Sequence, residues 1–495
     1  MKRTLWRKQH KWLGLVFGLF MLMFCVSGIL LNHRHWVADL SVSRGWLPDD
    51  YQFCRWNGGL LRGTIRGAGD GQVLLYGNSG IWQTDSCGGK FTDLNKGLPE
   101  GADYRNVRAC VKMPDNSVWA ACLFGLYRMD EKKNEWVAVD CGLPEGERLS
   151  DLTCCGDTIV AVGRSFLYRA VLPSMRFERI EVKAPEGYDG RVSLFRTVWA
   201  LHSGELFGLA GKFLMDAVAI VLIVLCVTGL VVWLMPKLIR RRKKSGRPVK
   251  ALADTMKRHL GWHDKLGRYL FVVLILVSFT GWCLRPPVLI ALVSARVPAV
   301  PFTFMDSENA WHDRLRMLRY DDACGDWLLS SSEGLYTMAS LEAVPVRVAQ
   351  APPISVMGLN AWQKVSDGRW LMGSFSGLFL WDRAVDRSVD YFTGEVVEEV
   401  AGPPFGKFAV AGYSDDIKAT GSPDTPIVVE YYKGTDSLDM PPHFTCLPMS
   451  LWNLALEVHT GRIYTILGKG TLIYIFFAGL LAMWCVFSGY KIRKR

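Results

Sequence analysis

The sequence contains no CxxC and no GxGxxG, and few ionisable residues fall inside its apolar runs. Without CxxC pairs, zinc and dithiol chemistry have no support. The missing glycine fingerprint, and the short connection over 237–265, leave no room for a flavin or nicotinamide domain. So few polar groups within the runs offer a transporter no evident substrate path. The first run lacks a small-x-small cleavage site and is longer than a signal-peptide core, so it reads as an uncleaved anchor. The long segments between the runs carry no catalytic constellation.

What the chain does have is apolar length and one-sided basic charge. Of its 495 residues half are hydrophobic. The runs 12–31, 213–235, 269–284 and 471–490 read as four membrane spans, because about 20 apolar residues cross a hydrocarbon core of roughly 30 Å. Arg285-Pro286-Pro287 marks the end of the third. The segments 1–11, 237–265 and 491–495 hold 20 basic and 2 acidic residues, against a net charge of +11 for the whole chain. They share one side in a four-span arrangement, which the positive-inside rule makes cytoplasmic. The basicity is therefore topological, and no nucleic-acid partner is implied.

The expected order is a basic tail (1–11), span one (12–32), a periplasmic segment (33–200), span two (201–236) and a basic cytoplasmic loop (237–265). Span three (266–287), a second periplasmic segment (288–457), span four (458–490) and a basic tail (491–495) follow. Cys25, Cys226, Cys283 and Cys485 fall one per span and read as packing residues. The other nine cysteines are external, and their odd number leaves at least one unpaired.

The external segments repeat. Gly69-Asp70-Gly71, Pro114-Asp115-Asn116, Gly156-Asp157, Gly325-Asp326 and Asp367-Gly368 each precede a β-rich run, a Gly or Ser stretch and a second hydrophobic-aromatic run. The spacing is 41 to 45 residues within each segment. That period, with four-strand content, suggests propeller blades. Too few blades lie in either segment to close a ring, so both are expected to build one propeller-like domain. Two separate β-sandwiches are the competing arrangement.

The membrane part repeats as well. Ser-Leu, His202, Gly204 and Gly211-Lys212 recur 257 residues later as Ser-Leu, His459, Gly461 and Gly468-Lys469. His10, Leu13, Gly14, Ser27 and Gly28 recur 253 residues later as His263, Leu266, Gly267, Thr280 and Gly281. The chain is thus two tandem copies of span, external segment, span. His10 and His263 would lie at the cytoplasmic level and His202 and His459 at the external level, roughly 30 Å away by helix rise. Two neutral imidazoles on facing helices are a usual ligand set for six-coordinate haem b.

Gly204, Gly461, Gly14 and Gly267 would give a flat macrocycle backbone clearance, or serve helix packing. Lys212, Lys469 and Arg462 could pair with propionates. His33 and His259 are alternate ligands, with His35 a further spare, and pairing across neighbouring spans stays open. Asp216 reads either as a proton-relay carboxylate or as the i,i+4 partner of Lys212.

Three stretches, "RKQHKWLGLVFGLFMLMFCVSGILL", "LHSGELFGLAGKFLMDAVAIVLIVLCVTGLVVW" and "VHTGRIYTILGKGTLIYIFFAGLLAMWCVFSGYKIRKR", resemble the PepSY-associated transmembrane family. The resemblance covers the four spans and their flanks. It implies a bacterial inner-membrane protein linked to iron acquisition, with His10, His202, His263 and His459 as haem-ligand positions. Family members commonly carry small PepSY α/β domains outside the membrane, where this chain has β-repeats.

The expectation is therefore a four-helix transmembrane bundle with an all-β, propeller-like periplasmic domain and two haem b groups. It would pass electrons from a quinol or cytoplasmic reductase to a periplasmic acceptor such as a ferric siderophore. A ferric-chelate reductase is the enzyme class implied. The alternative is a haem-free membrane-anchored sensor or assembly protein, whose propeller binds a ligand or partner.

Overall fold

The computed structural model describes residues 3–67, 69, 71–366, 368–397, 406, 408–421 and 425–492. Lys2, Asp70, Asp367 and the basic residues 493–495 lie outside these. The chain forms two compact units. One consists of 1–34, 190–307 and 452–495, the other of 35–189 and 308–451.

The first unit is helical. Its helices are α1 (Arg3–Asn32), α2 (Leu194–Ser203), α3 (Gly208–Lys244), α4 (Lys250–Tyr269), α5 (Phe271–Cys283), α6 (Val288–Val293), α7 (Leu451–His459) and α8 (Thr471–Ile492). Three helical stretches, Arg3–Asn32, Glu205–Lys244 and Thr465–Ile492, are long and apolar enough to cross a membrane. The pair α4 and α5, bent by 69°, would make a fourth span. This is a membrane protein with three to four candidate spans. Helix α1 packs against α3 and α8, α4 against α3, and α5 against α8 and α2. Phe17, Ala478 and Ala482 are buried between α1 and α8, with Phe20, Met21 and Phe24 beside them.

Several boundaries differ from the sequence reading. The basic segment 237–265 is not a loop: α3 runs to Lys244 and α4 starts at Lys250. Lys and Arg are good helix formers, and Arg241–Lys244 suits the negative end of the α3 dipole. Spans two and four are each broken. α2 ends at Gly204, whose φ is +82°, and α7 is followed by Gly461 at +73°. Only α5, 13 residues long, is apolar throughout the third span. At 1.5 Å per residue it reaches about 20 Å, short of a roughly 30 Å core. Residues 190–200 and 288–307 belong with the helices, where Arg191–Ser193 pairs antiparallel with Arg296–Pro298.

The second unit is β-rich and takes residues from both external segments. Five four-stranded antiparallel meanders cover 63–93, 107–139, 151–180, 315–347 and 359–390, and a two-stranded sheet covers 410–430. Tight turns join their strands, with Gly325 (φ +70°) and Gly368 (φ +73°) in the left-handed conformation only glycine adopts without strain.

Apolar side chains fill the space between neighbouring sheets in cyclic order. Leu74 and Cys110 join the first sheet to the second, Trp119 and Ile159 the second to the third. Val160 and Leu318 join the third to the fourth, Met317 and Trp362 the fourth to the fifth. Leu371 and Val410 join the fifth to the sixth, and Val429 and Leu75 return the sixth to the first. At that return the Thr64 hydroxyl donates to Asp416 Oδ2 at 2.8 Å and lies 2.8 Å from the Ser414 hydroxyl. Two separate sandwiches would not share cores in this way.

Candidate functional site

Four helices of the helical unit bring four histidines together in two pairs. The rings of His10 on α1 and His263 on α4 have centroids 5.9 Å apart and planes inclined by 65°. Those of His202 on α2 and His459 on α7 are 6.2 Å apart and inclined by 52°. His202 and His459 each sit in the last turn of a short helix. Serine caps the start of α2, where the Ser193 Oγ accepts the Arg196 N–H, and Gly204 stops it.

Each imidazole is held from a neighbouring helix by the same device. His459 Nδ1 lies 3.1 Å from Ser27 Oγ and 3.0 Å from the Phe24 carbonyl of α1. His263 Nδ1 lies 3.1 Å from Thr228 Oγ1 and 3.0 Å from the Leu225 carbonyl of α3. His10 Nδ1 lies 3.2 Å from Ser488 Oγ and 3.0 Å from the Cys485 carbonyl of α8. His202 Nδ1 lies 3.1 Å from Thr280 Oγ1 of α5.

The protons of these hydroxyls are already committed. Ser27 donates to the Met23 carbonyl, Thr228 to Val224, Thr280 to Leu276 and Ser488 to Cys485, at 2.6 to 3.0 Å. For His10, His263 and His459 hydroxyl and carbonyl are then both acceptors toward the ring, so Nδ1 carries the proton and donates, and the Thr280 hydroxyl, engaged with Leu276, gives His202 the same arrangement. The lone pair of each neutral imidazole is left on Nε2. Among the described residues no Nε2 of the four makes a hydrogen bond. Metal-ligating histidines commonly have the other ring N–H tied to an outer acceptor in this way.

Beside each hydroxyl residue stands a glycine whose missing side chain makes room for the ring. A Cβ on Gly281 would stand 2.8 Å from His202 Cε1, and one on Gly489 3.0 Å from His10 Cε1. On Gly229 it would be 3.2 Å from His263 Cε1, and on Gly28 3.3 Å from His459 Cε1. The cradle is thus a Ser/Thr-Gly dipeptide, once per span. Thr228-Gly229 and Ser488-Gly489 are missing from the sequence reading because they are 260 residues apart, while the histidines repeat at 257. The broken segment before α8, with Gly468 at φ +48°, intervenes between His459 and Ser488.

The remaining candidates are placed differently. Gly204 and Gly461 are helix stops rather than macrocycle clearance, and a Cβ on Gly204 would meet the Gly211 carbonyl at 2.2 Å. Gly14, one turn from His10 on α1, has nothing within 4 Å of a Cβ position, and Gly267 has only Leu225 at 3.8 Å. His259 turns back to the Thr255 carbonyl of its own helix at 2.9 Å. His33 Nε2 contacts Asp216 Oδ2 at 2.6 Å, and Asn32 donates to Asp216 Oδ1. Lys212 pairs instead with Glu205 at 3.4 Å, so the i,i+4 pair with Asp216 does not form. His35 belongs to the β-rich unit, against Tyr104 and Phe124. Arg462 grips both oxygens of Glu457, at 3.0 and 2.6 Å. Lys469 is exposed and makes no ion pair among the described residues.

Comparison with known proteins bears on the helical unit. The profile described as "PepSY-associated TM region" matches residues 1–236. Residues 1–236 belong to the PepSY-associated TM family. That match takes in α1, α2 and α3, with His10, His202 and the cradles Ser27-Gly28 and Thr228-Gly229. The internal repeat sets His263 and His459 at positions equivalent to His10 and His202. No curated protein matches the chain.

Among solved structures, the extracellular domain of the hybrid two-component system BT4673 from B. thetaiotaomicron aligns at 8% identity and a TM-score of 0.31. The alignment covers 73% of this chain and 36% of that one. A structure of the same domain described as a one-component system gives 8%, 0.33, 78% and 38% in the same order. Dihydro-heme d1 dehydrogenase NirN with its ligand gives 10%, 0.30, 74% and 53%. The chain spans about a third to a half of the length of these structures, and at such scores they carry no argument about function.

Proposed function

We propose that this protein is a membrane electron conduit carrying two haem b groups, one held by His10 and His263 and the other by His202 and His459. The observation behind this is a repeated arrangement: four imidazoles in two facing pairs, each with Nδ1 against an outer acceptor and Nε2 without a hydrogen bond among the described residues.

The residues fit the group in three respects. The ligand type is right for a six-coordinate haem. The outer acceptors fix ring orientation and raise ligand basicity. Open space beside Gly14 leaves backbone uncovered on the His10 face of α1. When bound, two haems would relay single electrons across the bilayer toward a ferric complex, whose reduction loosens its hold on hard oxygen donors.

The side chains' part is to hold and tune. The Ser/Thr-Gly cradles lock each ring against rotation, and the apolar α1–α8 packing around Phe17 excludes water between the two levels. In this reading the positive-inside rule would set the His10–His263 level on the cytoplasmic side, where a quinol or reductase would deliver electrons. The six sheets in cyclic contact are a propeller-like binding module for the acceptor, in the bacterial inner membrane's periplasmic space.

The test is an optical spectrum of the detergent-purified full chain from haem-replete cells. Sharp α-bands on dithionite reduction are expected. A colourless protein would leave the sensor reading in force, with its ligand sought in the open acidic cavity of about 420 Å³ lined by Asp49, Asp436 and Asp439.

A further inference from the structure

Arg285 follows the apolar helix α5, where an arginine usually marks the membrane edge and snorkels to lipid head groups. Its position here is more particular. α5 presents Thr280 and Gly281 to the His202 ring, and Arg285 stands one helical turn beyond Gly281. Its backbone N–H closes that turn on the Trp282 carbonyl at 3.2 Å.

The guanidinium is half-buried, and its charge reaches both His202 and His459. The charged groups whose fields reach it are Arg462 and Glu457, flanking His459. Those two are spent on each other through a two-point ion pair. Lys212 and Arg196 are likewise spent on Glu205, at 3.4 and 2.8 Å. Among the described residues Arg285 has neither a side-chain hydrogen bond nor an ion pair within 4 Å. A half-buried guanidinium without an anion is costly, and its planar fork matches a carboxylate.

We propose that Arg285 is the carboxylate-binding residue of the His202–His459 site, and that the carboxylate it takes is a propionate of the macrocycle. The proposal rests on the haem reading above. Of the three basic residues the sequence suggests for this task, Lys212 and Arg462 are already neutralised within the chain, and Lys469, though unpaired among the described residues, is exposed rather than half-buried. Arg285 is the basic group left beside the second pair with its five donors unclaimed. A carboxylate of a ferric chelate has the same chemistry, and the experiment separates the two sources.

The experiment titrates the full-length protein from haem-starved cells, in the His10→Ala background so that only the second pair takes haem. Haemin and its dimethyl ester are compared in the parent, Arg285→Gln and Arg285→Lys. A lost charge-assisted pair is expected to weaken haemin binding about tenfold or more in Arg285→Gln. The ester should bind the parent as weakly as haemin binds Arg285→Gln, and the two ligands should then be indistinguishable in that variant. Arg285→Lys should recover part of the loss, which sets a folding defect aside.

If haemin and ester bind all three alike, while Arg285→Gln alone raises the half-saturating concentration of ferric citrate, the carboxylate belongs to the acceptor and the propionate assignment is overturned. If neither ligand responds, Arg285 is a membrane-edge anchor and the proposal falls with the haem reading intact. A parent that takes up no haemin contradicts the haem reading itself, and the proposal with it.

Discussion

Ser27 and His459, 432 residues apart in sequence, meet at 3.1 Å, and the serine hydroxyl already donates its hydrogen bond to the Met23 carbonyl. The imidazole is therefore the donor in the pair, and its other nitrogen is left as a base. Three further pairs, Thr228 with His263, Thr280 with His202 and Ser488 with His10, repeat the relationship. A contact made four times by two halves of a chain supports a shared role for the histidines more strongly than their spacing does.

Gly281→Ala is expected to displace His202, because the new Cβ would stand 2.8 Å from its Cε1. The variant should lose one haem of two by pyridine haemochrome. Gly14→Ala meets nothing in the protein and removes a helix-interior glycine, a gain of up to about 1 kcal/mol without ligand. If Gly14→Ala is also more stable with haem bound, the open space beside it is not where the macrocycle lies.

Ser27→Ala leaves one acceptor, the Phe24 carbonyl, for the His459 ring. We expect haem to be retained but bound about tenfold more weakly at the second pair, in line with the usual loss for a second partner of a metal-bound histidine. Thermal loss of the Soret band at fixed protein concentration would report it. An unchanged affinity would show that the carbonyl alone holds the ring.

Lys212→Gln and Arg462→Gln are expected to leave haem content unchanged, because both cations are engaged with Glu205 and Glu457. Loss of one haem in either variant would return the propionate role to these residues. The same haemochrome count decides it.

In the β-rich unit, Arg383 joins Asp321 at 2.7 Å to Asp326, and Trp370 Nε1 lies 3.4 Å from Asp321. Burial works to raise the Asp321 carboxyl, but the Arg383 and Trp370 donors outweigh it and hold it below the ordinary carboxylate range. A lowered native value means the unfolded chain binds the proton more readily, so this carboxylate stabilises the fold above its unfolded value. That contribution is lost as pH falls through the native one. Arg383→Ala would take from Asp326 its ion-pair partner and from Asp321 its closest one, and should cost about 3 kcal/mol at neutral pH. Limited proteolysis of the full chain against pH would show both effects, and a pH-independent difference between the proteins would contradict the assignment.

Much of this was legible in the sequence. Apolar length gave the runs 12–31 and 471–490, which lie within the helices Arg3–Asn32 and Thr471–Ile492, and the tandem repeat singled out the four histidines that the structure sets in pairs. The 41–45-residue period gave sheets at the right places, because Asp-Gly and Gly-Asp turns are local signals. The breaks at Gly204 and Gly461 were hidden, since a left-handed glycine reads like any other until the backbone is seen. The basic 237–265 segment hid its helices because positive charge marks sidedness and helix alike. The cradle hydroxyls escaped because their partners lie far off in sequence, and the extra residues before α8 shift Ser488 out of register with Thr228. The role of Arg285 is likewise a matter of what its neighbours are already bound to.

The most direct measurement is the haem count per chain, by pyridine haemochrome, in the wild type and in His10→Ala, His202→Ala and the double variant. The account predicts two haems, one, one and none, with His263→Ala and His459→Ala matching their partners. A wild type without haem, or a single substitution that abolishes both haems in a protein that still folds, would contradict two separately held sites.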